Sequence, residues 1–301
     1  MREMFGELYE RYSVLDDSDE FWEYLKKPLR QSIRINTLKA PFESIKERLE
    51  EEYILEPIPW VREGFFINKS EFSDVLEHAL GLIFPQEAAS MIPPVVLNPK
   101  PGELVLDMAA APGAKTTQIA QYMRNEGCIV ANDMKKFRVN ILIANLNRFG
   151  VLNARVTQKD GAYFGRFRET FDRILLDAPC TSVGMIRKNF KFAKGWSMDR
   201  VYMYSKIQKK LIIAAYKALK PGGILVYSTC TVDPFENEEV VDYLLRKTDA
   251  KLEKIKLPLK SSQPVLEFDG HEYSKEVKKC LRLHPQDNDT EAFFVAKIRK
   301  P

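Results

Sequence analysis

The chain has 301 residues, 45% apolar and 29% charged, and carries a net charge of only +4. That is an ordinary globular composition with room for one large domain or two unequal ones, and the charge alone says nothing about nucleic acid. No run approaches 18 consecutive apolar residues, which argues against a membrane span, and four scattered cysteines without a CxxC pair suggest neither a metal site nor a disulfide framework.

In chain order, the opening MREMFGELYERY has acids from its third residue and no apolar core, so it does not read as a secretory signal. With reduced thiols, this points to the cytoplasm. The first 25 residues read as helical, ending near Pro28. SIRINT (32–37) alternates like a strand and PFESIKERLEEE (41–52) reads as a helix, followed by short strand-like runs at 54–58 and 64–67. Residues 1–85 are thus expected to form a small α+β domain. From residue 86 to 301 the rhythm changes. Apolar runs (ELVLD, CIVAND, ARVTQKD, DRILLDAPC, GGILVYSTC) alternate with helical stretches, which predicts an α/β fold on a mostly parallel, doubly wound sheet. The ending CLRLHPQDNDTEAFFVAKIRK looks like a closing pair of strands.

The first of these strands runs into DMAAAPGAKTTQIA (107–120), a small-residue turn into a helix. Such a turn lets a ligand approach backbone and meet the free N–H groups of the helix start. A P-loop would need glycines where Ala109 and Ala114 stand, and the G-x-G-x-x-G fingerprint is absent. A ligand with nucleoside and amino-acid parts but no phosphate fits better, although a purely structural turn would read alike. Asp133, Asp160 and Asp177 follow successive strands, at the carboxyl edge where open α/β sheets bind ligands.

Cys180 (DAPC) and Cys230 (YSTC) fall at the same edge. A helix beginning near Cys230 is expected to lower its thiol pKa, and the thiolate is the nucleophilic form. A thiol beside a methyl donor has a specific use. Cytosine carbon 5 becomes nucleophilic only after a thiolate adds to carbon 6, and a second group can assist the later elimination. Between 187 and 210 there are eight Lys or Arg against one acid, with Phe190, Phe192, Trp196, Tyr202 and Tyr204 interleaved. This suits a polynucleotide, although a solvated helix face with buried rings would look the same.

RINTLK, GLIFPQEAAS, DMAAAPGAKT, LLDAPCTSVGMIRKN, YSTCTVDPFENE and FFVAKI together resemble the Nop–Sun family of RNA cytosine-5 methyltransferases, from about Arg34 to the end. The resemblance implies a Rossmann-type methyltransferase sheet, mostly parallel and seven-stranded with an antiparallel last strand. It implies S-adenosylmethionine held by Ala109, Ala110, Ala111, Pro112, Gly113, Ala114 and Lys115. Asp133 would take the ribose hydroxyls with Arg138 nearby, Asp160 would lie by the adenine, and Asp177 would lie between cofactor and target base. Cys230 would be the nucleophile, Cys180 would help release the product, and Lys115 would reach the base. Arg34, Asn36, Arg187, Lys188, Lys191 and Lys194 are expected RNA contacts, with tRNA favoured over rRNA and the chain a monomer needing neither metal nor membrane. The sequence departs from the family pattern at Ala114 and Ser182, where glycine is common, and at Phe190, where proline is. Two other readings stay open at this point: a methyltransferase for small molecules or proteins, and an inactive RNA-binding assembly factor.

Overall fold

The computed structural model describes residues 2–16 and 18–301. Three short helices open it, α1 (Arg2–Phe5), α2 (Glu7–Tyr12) and α3 (Asp19–Lys26). The Ser18 hydroxyl caps α3 by accepting the Phe21 N–H. A four-stranded antiparallel sheet follows, built from β1 (Ser32–Ile35), β2 (Leu55–Pro57), β3 (Gly64–Ile67) and β4 (Ile83–Pro85) in the order β2-β3-β1-β4. Helices α4 (Phe42–Glu50) and α5 (Leu76–Ala79) accompany it, and its own core holds Ile33, Ile35, Ile45, Leu49 and Phe65.

After α6 (Ile92–Leu97) comes the large sheet. Its first half is β5 (Leu104–Asp107), α7 (Ala114–Tyr122), β6 (Cys128–Asn132), α8 (Lys136–Arg148) and β7 (Ala154–Thr157). Its second half is β8 (Phe171–Asp177), α9 (Lys191–Lys194), α10 (Met198–Ala218), β9 (Leu219–Thr229), α11 (Glu238–Lys247) and β10 (Lys251–Glu253). A two-stranded ribbon of β11 (Glu267–Phe268) and β12 (His271–Glu272) precedes β13 (Leu281–Leu283), α12 (Pro285–Asn288) and β14 (Phe293–Arg299). The strand order is β10-β14-β9-β8-β5-β6-β7, with β13 paired to β14. β5 to β9 run parallel; β14 inserts antiparallel beside β9. The expected Rossmann-type architecture with an antiparallel closing strand is therefore present. The chain winds outward from β5 through β6 and β7, then returns to β8 on the other side of β5. The crevice between the carboxyl ends of β5 and β8 is the topological switch point, where this class of sheet binds ligands.

The opening helices do not pack on the small sheet. Phe5, Leu8, Tyr12, Phe21, Trp22 and Leu25 share a core with Val183, Ile186, Trp196 and the inner face of α10. Each such side chain, fully buried, contributes about 1.5–3 kcal/mol of hydrophobic stabilisation. The Tyr12 hydroxyl accepts the Trp196 indole N–H at 3.0 Å and donates to Asp233 at 2.9 Å. Among the described residues no helix is long and apolar enough to cross a membrane.

Candidate active site

The crevice begins at Asp107, the last residue of β5, which is buried. Its Oδ2 accepts the Thr116 hydroxyl at 2.7 Å, while Oδ1 is buried with no partner among the described residues. Burial pushes this carboxyl up to about 7, with the charge of Asp177 adding to the effect. The loop that follows holds its shape through backbone contacts. Ala110 N–H donates to the Asn132 carbonyl at 2.7 Å, Asn145 Nδ2 to the Pro112 carbonyl at 2.8 Å, and Arg138 to the Ala111 carbonyl. Gly113 has φ 110, and a Cβ there would press on Leu142 at 3.1 Å, so the turn requires glycine. Ala114, by contrast, is the first residue of α7 and keeps a helical backbone, so alanine in place of glycine introduces no strain there.

Asp133 follows β6 and is buried. Its Oδ1 accepts the Lys135 N–H at 3.0 Å, and Arg138 lies 3.5 Å from Oδ2. Asp160 follows β7 at an exposed turn, where it accepts the Ala162 N–H at 2.9 Å and pairs with Lys210 at 3.0 Å. Those two contacts, the backbone one first, hold its carboxyl below the ordinary range. These residues fit the expected cofactor. A small-residue loop, a buried acid on the second strand and an orphaned carboxylate oxygen on Asp107 suit a ligand with ribose hydroxyls and an ammonium group.

On the other side of the crevice, Asp177 ends β8. Its Oδ1 accepts the Ser228 hydroxyl at 2.7 Å and its Oδ2 the Lys115 ammonium at 2.8 Å. Lys115 also donates to the Ser90 hydroxyl at 2.8 Å. Burial lowers the pKa of Lys115, but the carboxylate of Asp177 outweighs it and raises the ammonium above its ordinary value. The two thiols meet here: Cys180 Sγ and Cys230 Sγ are 3.4 Å apart. Contact with Cys180 and then burial push the Cys230 thiol well above its ordinary value. This corrects the expectation of a depressed pKa. The helix after Cys230 starts only at Glu238, so its N-terminus does not reach the sulfur. Ser182 has φ 60, a left-handed conformation that costs a non-glycine residue about 1–2 kcal/mol. Its hydroxyl lies 3.7 Å from the Cys180 sulfur. Gly184 packs so closely on the backbone that a Cβ would collide with the carbonyl oxygens of Ala292 and Cys230.

Both thiol loops are braced by buried polar groups that the sequence reading did not single out. The Asn237 side-chain amide donates to the Thr231 carbonyl at 2.9 Å. Arg282 forms a buried ion pair with Glu238 at 2.7 Å and donates to the Val232 carbonyl at 2.8 Å.

Three expected RNA contacts are corrected. Arg34 is fully buried, bonded to Gln86, Gln121 and Thr117, and burial lowers its pKa to about 10. Asn36 is buried and donates to the carbonyls of Gly81 at 2.8 Å and Phe149 at 2.9 Å. Arg187 spends its guanidinium on the carbonyls of Lys27, Pro28 and Thr290 and on Asp289. All three join segments of the protein and have no face left for phosphate. Lys188, Lys191 and Lys194 are exposed. Of the interleaved aromatics, Trp196 is buried and Phe190 packs on Phe5 at 5.6 Å, so both serve the core.

Residues 94–299 match the family described as 16S rRNA methyltransferase RsmB/F. Residues 3–88 match the N-terminal domain of 16S rRNA methyltransferase RsmF. The chain is 70% identical over 98% of its length to the tRNA (cytosine(49)-C(5))-methyltransferase of Pyrococcus abyssi, covering 96% of that protein. It is 44% identical over 94% of its length to ribosomal RNA small subunit methyltransferase F of Shewanella oneidensis, of which it spans 60%. Among solved structures, NSun6 from Pyrococcus horikoshii with SFG superposes with a TM-score of 0.87 at 27% identity, over 100% of this chain and 99% of that one. A methyltransferase homolog protein from the same organism gives 0.85 at 39% identity, covering 99% and 94%.

Proposed function

The chain belongs to the RsmB/F (Nop–Sun) family of RNA methyltransferases, and we propose that it methylates carbon 5 of a cytosine in tRNA, at position 49, using S-adenosylmethionine. The observation that carries the chemistry is the 3.4 Å approach of Cys180 and Cys230 at the switch point, flanked by the Lys115–Asp177 pair. Methylation of an oxygen or an exocyclic nitrogen needs no thiol; methylation of a ring carbon does. Cys230 adds to carbon 6 and the C5=C6 electron pair shifts, leaving an enamine whose carbon 5 is nucleophilic. Cys180 assists the elimination that frees the product. Lys115 and Asp177 offer a donor and an acceptor to the polar edge of the base. Ala109 to Lys115 and Asp133 would hold S-adenosylmethionine, which would supply the methyl group.

The 70% identity to the Pyrococcus abyssi tRNA enzyme, against 44% to the rRNA enzyme of Shewanella oneidensis, supports tRNA over rRNA. Within residues 1–85 we take the small sheet as the RNA-binding unit, and 86–301, on whose core the opening helices sit, as the catalytic unit. We take Lys188, Lys191 and Lys194, exposed on the segment that follows the Cys180 loop, as phosphate contacts, and the enzyme as a cytoplasmic monomer. The test is covalent trapping on 5-fluorocytosine-substituted tRNA, where fluorine blocks elimination. Wild type and Cys180→Ala should give a protein–RNA band on a denaturing gel and Cys230→Ala none. Trapping lost only in Cys180→Ala would reverse the two roles. Trapping on ribosomal RNA alone would move the substrate to the second class.

A further inference from the structure

One buried carboxyl group connects the two thiol loops and takes no part in the chemistry described above. Glu236 lies between β9 and α11 with no exposed surface. Its Oε2 accepts the Thr181 N–H at 3.0 Å and the Gln208 side-chain amide at 3.0 Å, and its Oε1 accepts the Thr181 hydroxyl. Gln208 donates as well to the Pro179 carbonyl at 2.8 Å. The Thr181 hydroxyl lies 2.9 Å from that of Thr231. One neighbour of Cys180, Thr181, is therefore tied to Glu236 directly, while its other neighbour, Pro179, is tied through Gln208 and the residue after Cys230 through Thr181. Tyr227 fixes the backbone of Glu236 by donating to the Glu236 carbonyl at 2.5 Å. Burial pushes the Glu236 carboxyl up to about 8. A buried carboxyl is expensive unless its partners are all in place, so the network acts as a unit.

We propose that Glu236 is a positioning residue that sets the separation of the two thiols, and with it the passage from adduct formation at Cys230 to product release at Cys180. The inference rests on the reading of Cys230 as nucleophile and Cys180 as release partner. Addition needs one sulfur and the base: the Cys230 S–H proton passes to solvent, the C6–S bond forms, and the C5=C6 pair moves through the ring toward N3, which takes up a proton. Release needs both loops in register. The Cys180 thiolate takes the proton from carbon 5, the C5–H electron pair becomes the C5=C6 bond, and Cys230 departs with the C6–S pair as a thiolate. Proton transfer of this kind demands hydrogen-bond reach, and a displacement of about 1 Å is worth on the order of 100-fold in rate. Loosening the tie therefore spares addition and slows release.

The experiment uses the full chain with S-adenosylmethionine and tRNA transcripts containing either 5-fluorocytosine or ordinary cytosine. The first reports addition and the second reports adduct that persists because release is slow. Glu236→Ala should trap on the fluorinated RNA near the wild-type rate, yet accumulate adduct on ordinary RNA with release slowed by about 100-fold. Thr181→Val keeps the volume, deletes the bridging hydroxyl and should show the same split at about tenfold; it carries the test if Glu236→Ala fails to fold. Glu236→Gln should behave as wild type, since its amide oxygen accepts both N–H groups and its NH2 donates to Thr181. Equal losses in addition and release, no change in either, or a Gln variant as impaired as Ala would each overturn the proposal. Absence of any wild-type adduct on fluorinated RNA would instead remove the nucleophile reading on which it stands.

Discussion

The two walls of the crevice are built by different means. On the cofactor wall, between β5 and β7, the loop from Ala109 to Gly113 is shaped by small side chains and by carbonyls bonded to Asn145 and Arg138. On the thiol wall, between β8 and β9, the loops are held by a buried polar network of Thr181, Gln208, Glu236, Asn237, Glu238 and Arg282. A wall made of close backbone approach fails when bulk is added. A wall made of hydrogen bonds fails when one partner is removed, because the rest are left buried and unpaired.

The largest effect should come from adding one methyl group to each wall in turn. Gly184→Ala drives a Cβ into the Ala292 and Cys230 carbonyls, so we expect about 1–3 kcal/mol of lost thermal stability and at least a tenfold loss of adduct formation. Gly113→Ala strains a backbone at φ 110 by about 1–3 kcal/mol. It should weaken cofactor binding, read by calorimetry, while leaving the labelling of Cys230 by a thiol reagent unchanged. If both variants fail in the same assay, the walls are one mechanical unit.

A smaller effect separates the sulfurs. Because the Cys230 thiol sits well above its ordinary value, the thiolate fraction grows as pH rises. Adduct formation should climb by about tenfold per unit between roughly pH 7 and pH 9. Contact with Cys180 is the leading cause of the shift, so Cys180→Ala should move the whole profile to lower pH. A profile that stays in place would show that burial dominates.

The smallest effect leaves both walls intact. Replacing Lys188, Lys191 and Lys194 by Gln should weaken RNA binding evenly across sequences. It should also flatten the dependence of log affinity on log salt by about 2, at about 0.7 per phosphate contact on single-stranded RNA. An unchanged slope would place the RNA elsewhere, and in that case the small four-stranded sheet becomes the surface to mutate.

The placement of the small-residue loop, the strand-end acids and the two thiols at one sheet edge was legible in the sequence because their signals are local. DMAAAPGAKT is a strand, a turn and a helix start within a few residues, and Asp133, Asp177, Cys180 and Cys230 each end or follow a strand that could be read from its apolar run. What escaped were groups whose meaning depends on distant partners. Arg34 looks like any surface arginine until Gln86, 52 positions on, accepts from it, and Arg187 until the Lys27 carbonyl, 160 positions back, does the same. Charge alone cannot distinguish a phosphate contact from a clamp. The thiol pKa was misjudged for a related reason: the sulfur's nearest neighbour is another sulfur 50 residues earlier, not the following helix.

The seat of the opening helices also has a consequence in time. Asp16 accepts from His284 at 2.8 Å and from Gln286 at 2.7 Å, and Arg187 joins the carbonyls of Lys27 and Pro28 to that of Thr290. During synthesis Asp16 emerges 268 residues before His284. At about 5–20 residues per second it waits roughly 13 to 54 seconds for its partner. Through that interval Phe5, Leu8, Phe21 and Trp22 have no completed core to enter, since that core also includes Phe294, Ala296 and Ile298.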